Sequence, residues 1–470
     1  MLFTLGGFFK SIISLFKTRV LSDGGTFEAE TNLENQLNTI GSDLFNSASL
    51  VITPNGVKTS KLYAIKPNDG TGDLTVTRNT SAIRVNESGV IVDVPANVAR
   101  IDYSTGQPAI LVEPQRTNLL LQSDSFANSS WTGNSRVTSN TDIAPDGSLT
   151  ADTLSDTSTT AYFTKNQTIT VTANSTVTTS IFIKKTTGVI NSYPCISLVF
   201  LGVSTKVARL IVDTTLGSFN VSPDNSLSVI GKITSYNDYW RVEMTTTDSG
   251  NNTSCQFTIY PSISTNGSTI TMSAVGNIVC WGAQLELGSN ATSYIPTTTA
   301  AVTRNADVIS NTNASTLIGQ TEGTIFIDYN KVLANDGSRN IISINGGTTA
   351  NAIEIWDGVG SGNLGRIIYT YFANNIIKVS GIGQQTISPS GRYKICLTYI
   401  ITPSLVNFKF FINGVKLDDR NLTYTAFSNS LTRIGIGNRN GIGVGVGSHN
   451  LDFILKTRIT DAQAIQLTTL

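Results

Sequence analysis

Residues 168–183 read TITVTANSTVTTSIFI, two short β-branched runs at 168–172 and 178–183 in which apolar and polar side chains largely alternate. A period of two belongs to a strand with one face buried, and runs of five or six residues match a sheet-forming segment. Ser197–Leu201 (SLVFL) and Gln256–Tyr260 (QFTIY) have the same character. Turn clusters such as Ser222-Pro-Asp-Asn225 and Ser249-Gly-Asn-Asn-Thr253 break the runs apart. Many short strands separated by turn signals predict an all-β sandwich.

Working outward, 470 residues exceed one ordinary domain, and 40% apolar residues suffice for real cores. Charged residues make up only 14%, against an average of roughly 25%. Ser, Thr and Asn, numbering 49, 64 and 42, fill the gap, so hydroxyls and amides wet the surface. Lys+Arg and Asp+Glu are 32 each, and no net field recruits nucleic acid. The single histidine, His449, excludes two-histidine zinc sites and HExxH chemistry. Beside the Gly-rich loop it reads as an exposed residue. Cys195, Cys255, Cys280 and Cys396 form no CxxC pair and read as four reduced, mostly buried thiols. No metal ligand set, cofactor motif or catalytic constellation emerges.

The N-terminal stretch MLFTLGGFFKSIISLFKTRV places Leu5, Phe8, Phe9, Ile12, Ile13, Phe16 and Val20 on one helix face. Lys10 and Lys17 interrupt it as a membrane span, and a clean signal-peptide pattern is absent. The reading is an amphipathic helix that buries its face in a partner protein or in copies of itself, with no membrane insertion. After Gly24-Gly25, the stripe Ala29, Leu33, Leu37, Ile40 and Leu44 is flanked by Glu28, Glu30, Glu34, Asn35 and Gln36. It allows either a helix packed on its own domain or self-association about an axis, as in a fibre stem.

From residue 50 the period switches to two, with β-branched runs at 75–77, 83–85 and 91–94. The segment Ile110-Leu-Val-Glu-Pro-Gln-Arg-Thr-Asn-Leu119 resembles a signature that introduces the carbohydrate-binding-like β-sandwich of many tailed-bacteriophage fibre and appendage proteins. In the same order follow Ser125-Phe-Ala-Asn-Ser-Ser-Trp131, Ala144-Pro-Asp-Gly147, Thr150-Ala-Asp-Thr-Leu154 and Tyr239-Trp-Arg241. Trp281-Gly-Ala-Gln-Leu-Glu-Leu-Gly288 and Ala291-Thr-Ser-Tyr-Ile-Pro296 close the module. The last third, from Gly323-Thr-Ile-Phe-Ile-Asp-Tyr329 through Asn407–Lys416 to Thr460–Leu467, resembles the concanavalin-like (laminin-G-like) lectin sandwich. Its Asn413-Gly414 pair between apolar runs is a strong hairpin signal. Residues 296–301 and 310–315 read as a linker.

The predicted fold is therefore mainly β: two β-sandwich (jelly-roll or lectin-like) domains after a short N-terminal helical anchor. The expected boundaries are 1–48 for the anchor or oligomerisation segment, 49–115 for a small β connecting region, 116–305 for the first sandwich and 312–470 for the second. The glycine run Gly435–Gly447 lacks phosphate-loop spacing and suits close backbone approach in a strand. Glu354-Ile-Trp-Asp357 resembles half of a glycosidase site, but a spacing of three puts its acids on opposite sheet faces. Trp356 and Trp131, the latter in the turn-rich NSSWTGNS, are the candidate glycan contacts, because an aromatic face suits a sugar ring; the plainer readings are a strand end with Trp356 packed or half-exposed, and a place in the core for Trp131. The resemblance implies a non-enzymatic structural protein of a tailed-bacteriophage virion surface. It would be a head fibre or capsid-decorating fibre, homo-oligomeric and trimeric, held to other virion proteins through its N-terminus and carrying modules for host-surface glycans. A tail fibre is the alternative, and a glycan-degrading tailspike the more distant one.

Overall fold

The computed structural model describes residues 5–28, 30–188, 192–332, 339–348, 350–358, 366–382, 390–422 and 430–470. The chain is mainly β and divides into two compact units. The first comprises residues 1–87, 93–115 and 305–470; the second comprises 88–92 and 116–304. These boundaries correct the sequence-based ones. Residues 49–115 are no separate connecting region, since Ala48–Lys58 pairs with Gly447–Leu455 and Ala109–Val112 pairs with the start of that same strand. The expected linker at 310–315 begins inside the strand Val308–Asn311, which pairs with both Leu74–Thr77 and Arg433–Ile436. Local pattern reading misses such pairings because the partners lie far apart in sequence.

Two antiparallel layers make up the first unit. One runs through Val415–Leu422, Val406–Ile412, Gly391–Ile401, Glu322–Lys331, Gly447–Leu455 and Ala48–Lys58. The other runs through Leu74–Thr77, Val308–Asn311, Arg433–Ile436, Arg339–Asn345, Ala352–Gly358, Arg366–Ala373 and Ile376–Ile382. Ile325, Ile327, Leu397 and Phe408 of the first layer meet Ile344, Ile355, Tyr369 and Ile434 of the second in one core. Asn413 (φ 48°) and Gly414 (φ 79°) close the hairpin as the sequence requires. The glycine run is no single strand: residues 437–446 form turns and isolated bridges between Arg433–Ile436 and Gly447–Leu455, and Gly437, Gly441 and Gly443 take positive φ. Close approach does occur at Gly447, where a Cβ would collide with the Tyr329 hydroxyl. His449 is fully buried rather than exposed, with its ring edge-on to Tyr329 and Nδ1 against Asp452. The bulge where Gly447–Leu455 passes Asp328 and Tyr329 lies beside it.

Alternate residues of the first layer point outward, and these too are apolar: Phe326, Cys396, Phe411, Leu451, Phe453 and Leu455. A sheet face of this kind needs a cover. The N-terminal helices α1 (Leu5–Ser22), α2 (Glu30–Ile40) and α3 (Ser42–Ser47), with the C-terminal helix α4 (Asp461–Thr468), supply it. Phe9, Ile13, Phe16 and Val20 of α1 and Leu33, Leu37 and Ile40 of α2 are buried in this cluster, with Phe8, Ile12 and Leu44 partly buried against it. Arg19, in the last turn of α1, forks onto Asp73 at 3.0 Å and lies over the rings of Phe16 and Tyr63. The expected anchoring face is thus corrected: Phe8, Phe9, Ile12, Ile13 and Phe16 are taken up inside the chain. The side chain of Leu5 and the whole of Ala29 lie outside the described residues.

The second unit is a six-stranded sheet facing a five-stranded one across a core of Leu154, Ile181, Leu198, Leu210, Val242 and Phe257. The motifs that carry the family resemblance fasten this sandwich. Asn118 donates to the carbonyls of Ala283 and Ile295 and accepts from the N–H groups of Leu120 and Leu285. Asp152 accepts from the N–H of Phe126 and of Asn140. Gln284 donates to Glu286 and accepts from Ile295 N–H, while Glu286 accepts from Thr292 N–H. Burial pushes the Asp152 and Glu286 carboxyls up from their usual range, and these hydrogen bonds pull them back.

In the first unit, Asp307 gathers a buried ionic cluster. It accepts from Arg78 at 2.8 Å, from Arg100, and from the N–H of Glu113, while Arg100 also pairs with Glu113 at 2.8 Å. None of these four residues is more than 4% exposed. Removing one partner of such a set strands a charge away from water. Asp307→Asn is therefore expected to lower stability by about 3–5 kcal/mol in denaturant unfolding. A loss below about 1 kcal/mol would place the cluster among ordinary surface pairs. All four cysteines are buried and unpaired, and burial raises every thiol, Cys195 and Cys255 to about 12. At pH 8 the folded protein is expected to react negligibly with a thiol-specific disulfide reagent, and the unfolded chain at all four positions. Rapid reaction of the folded protein would contradict this burial.

Candidate functional site

The two tryptophans chosen from the sequence have different fates. Trp131 is 2% exposed, tilted against Phe126 and edge-on to Phe257, with its indole N–H donating to the Gln122 carbonyl. It is core and no ligand contact: a turn-rich context does not keep a large ring out when neighbouring strands offer it an aromatic pocket. Trp356 is half-buried on the outer face of the second layer of the first unit. The Arg439 guanidinium lies 4.7 Å from its ring centre and 4.9 Å from that of Phe372. Both arms of that guanidinium hold the fully buried Glu354, which also accepts from Ser343. Asp357 points the other way, to Lys331 at 2.6 Å. Burial pushes its carboxyl up and Lys331 opposes the shift. The two acids occupy opposite sheet faces, each with its own cation.

A second constellation lies on the outer face of the five-stranded sheet of the second unit. In Tyr193–Leu201, Ile196, Leu198 and Phe200 enter the core, so Cys195, Ser197 and Val199 face outward. Register then builds two rows. Asn166, Thr258, Ser197 and Arg209 pair across the sheet in the first; Tyr260, Cys195 and Ile211 pair in the second. Tyr162 and Tyr260 meet edge-to-face at 6.2 Å, and with Tyr193 they partly cover Cys195, Ile211 and Ile263. Arg209 stands beside Tyr260: burial pushes that phenol up, while the guanidinium pulls it down.

Several polar groups here are not matched internally. Among the described residues no carboxylate pairs with Arg209; it hydrogen-bonds Tyr260, and its buried Nε has no partner. The buried Ser197 hydroxyl beneath it has none either. Gln256 bridges Asn166 and Thr168 through its amide and accepts from Thr258, which lines up a strip of amides and hydroxyls beside the tyrosines. A guanidinium bonded to Tyr260 but lacking a carboxylate partner among the described residues, with ring faces and amides on the same sheet, can hold a flat polar ring and an anionic group together. Tyr162, Arg209 and Tyr260 were not singled out from the sequence. The alternation in QFTIY that sends Phe257 and Ile259 inward sends Gln256, Thr258 and Tyr260 outward. Among the described residues no cluster of three or more His, Cys, Asp or Glu could hold a metal ion, and no helix is long and apolar enough to cross a membrane.

No protein-family model matches the sequence, and no curated protein matches it significantly. Among solved structures the chain is similar to the CBM40 of a Ruminococcus gnavus IT-sialidase, with 17% identity over 33% of this chain and 86% of that one and a TM-score of 0.27. It is also similar to domain 4 of AbnA, a GH43 extracellular arabinanase from Geobacillus stearothermophilus, in complex with arabinotriose. Here identity is 11% over 38% of this chain and 82% of that one, with a TM-score of 0.29. A third likeness is to a SAP-like pentraxin from Limulus polyphemus, at 12% identity over 32% and 70% and a TM-score of 0.24. At these values the likenesses decide neither fold nor ligand.

Proposed function

We propose that the chain is a non-enzymatic glycan-binding protein on the surface of a tailed-bacteriophage virion, a head fibre or capsid-decorating fibre. Its second unit would take a sugar bearing an anionic group on the face built by Tyr162, Arg209 and Tyr260. The observation that carries the glycan reading is Arg209, half-buried, bonded to Tyr260 and without a carboxylate partner among the described residues. A cation in that position is stabilised when a ligand brings the missing charge. The virion reading draws on the ordered motifs from Ile110 to Pro296. Display in several copies, as in a trimer, multiplies weak sugar contacts into useful avidity. The apolar stripe of α1 faces its own sheet, so joining of copies would fall to other surfaces.

A glycan array probed with the full-length protein tests the reading. Glycans ending in sialic or uronic acids are expected to bind above their neutral counterparts. Arg209→Ala and Tyr260→Ala are each expected to weaken that binding about tenfold or more while leaving the melting temperature within a few degrees. Binding that prefers neutral glycans, or that both variants retain in full, would contradict this use of the face.

A further inference from the structure

A cavity of about 240 Å3 opens in the first unit, between α2 and the outer face of the sheet beneath it. Asn32, Asn35 and Gln36 line it from one side of the helix; Asp328, Arg392 and Asn450 line it from the strands, with Gln107 from a loop. Leu451 is the one apolar side chain among the described residues that line it. On the strand side the groups satisfy each other. Arg392 forks onto Asp328, Asn450 donates to Asp328, and Asn330 donates to Asn450. The Asp328 pairing holds Arg392 charged, so the two side chains cancel.

The helix side is different. The side-chain amides of Asn32, Asn35, Gln36 and Gln107 make no hydrogen bond to another described residue; Asn35 and Gln107 are exposed, Asn32 and Gln36 half-buried, and the Oε1 of Gln36 is itself buried. Each amide offers two donors and an acceptor, the complement of a hydroxyl that both gives and takes a hydrogen bond. A buried amide oxygen left unmatched is costly. The cavity is also smaller than the roughly 300–1,000 Å3 of sites for drug-sized ligands. We propose that it is a second binding site, independent of the tyrosine face, for a single neutral sugar ring. Charge selects the ligand: with Asp328 and Arg392 paired, nothing in the lining compensates an anion. The size of the cavity matches one ring, and further residues of an oligosaccharide would project into solvent.

Saturation-transfer NMR on the full-length protein tests this with glucose, galactose, mannose and N-acetylglucosamine, one at a time. At least one of the four is expected to receive saturation from the wild type and equally from Tyr260→Ala. The double variant Asn35→Ala/Gln36→Ala is expected to bind that sugar at least about tenfold more weakly. Alanine favours the helix and neither residue belongs to the core, so α2 should persist, which circular dichroism checks. Gln107→Ala, on a loop, is expected to weaken the same sugar without touching the helix. Transfer to none of the four sugars would overturn the proposal and leave the cavity to water. Transfer that survives the double variant, or that Tyr260→Ala abolishes, would overturn it too, by placing the ligand elsewhere.

Discussion

Asp307 reaches two guanidinium groups that no solvent touches, and the first unit depends on its doing so. The chain leaves this unit after Gln115 and returns at Asn305, so one sandwich is assembled from segments on either side of a long excursion. Arg78 and Arg100 come from the leading segment, as does Glu113, and Asp307 from the trailing one. The Asp307 N–H donates to the Glu113 carbonyl, and the Glu113 N–H donates to the Asp307 carboxylate. Withdrawing two arginines from water is unfavourable by several kcal/mol unless each finds a partner in good geometry. That penalty makes the cluster selective: the arginines are satisfied only when both segments are seated in register. Glu113, read from the sequence as part of a family signature, has its physical role in this seat.

Legibility followed the range of the interactions. Period-two alternation revealed the strands, Asn413-Gly414 revealed its hairpin, and the 3.6-residue stripe revealed α1 and α2, because each is settled by neighbours in sequence. The target of the α1 stripe was not legible. An apolar helix face looks the same whether it meets a partner or the outward row of Phe326, Phe411 and Phe453, and nothing local announces that this sheet is apolar on both faces. The division of the chain was hidden for the same reason, since strands at Ala48–Lys58 and Gly447–Leu455 meet only in the fold. His449 was misjudged from its turn-rich surroundings, and Trp131 follows the core reading rather than the contact one, since backbone turns at a surface still send side chains inward.

The motifs behind the phage resemblance act as fasteners. Asn118, Asp152, Gln284 and Glu286 all hold backbone groups of neighbouring segments within the second unit. They account for a shared sandwich and say nothing about its ligand, in keeping with the separation of fold from function. The proposed binding would draw on residues with spare hydrogen-bonding capacity. Arg209 with its tyrosines would serve a charged sugar, and the amides of α2 an uncharged one. A surface rich in hydroxyls and amides and poor in ions offers such groups many places to gather.

Hydrogen–deuterium exchange, read by mass spectrometry with and without an acidic glycan bound, tests most directly whether the outer face of the five-stranded sheet is the recognition surface. Binding there slows exchange in peptides covering Tyr193–Leu201, Lys206–Asp213 and Ser254–Ser264, and leaves Ala352–Gly358 unchanged. Protection confined to the strand that carries Trp356, with none on these three, would contradict the account.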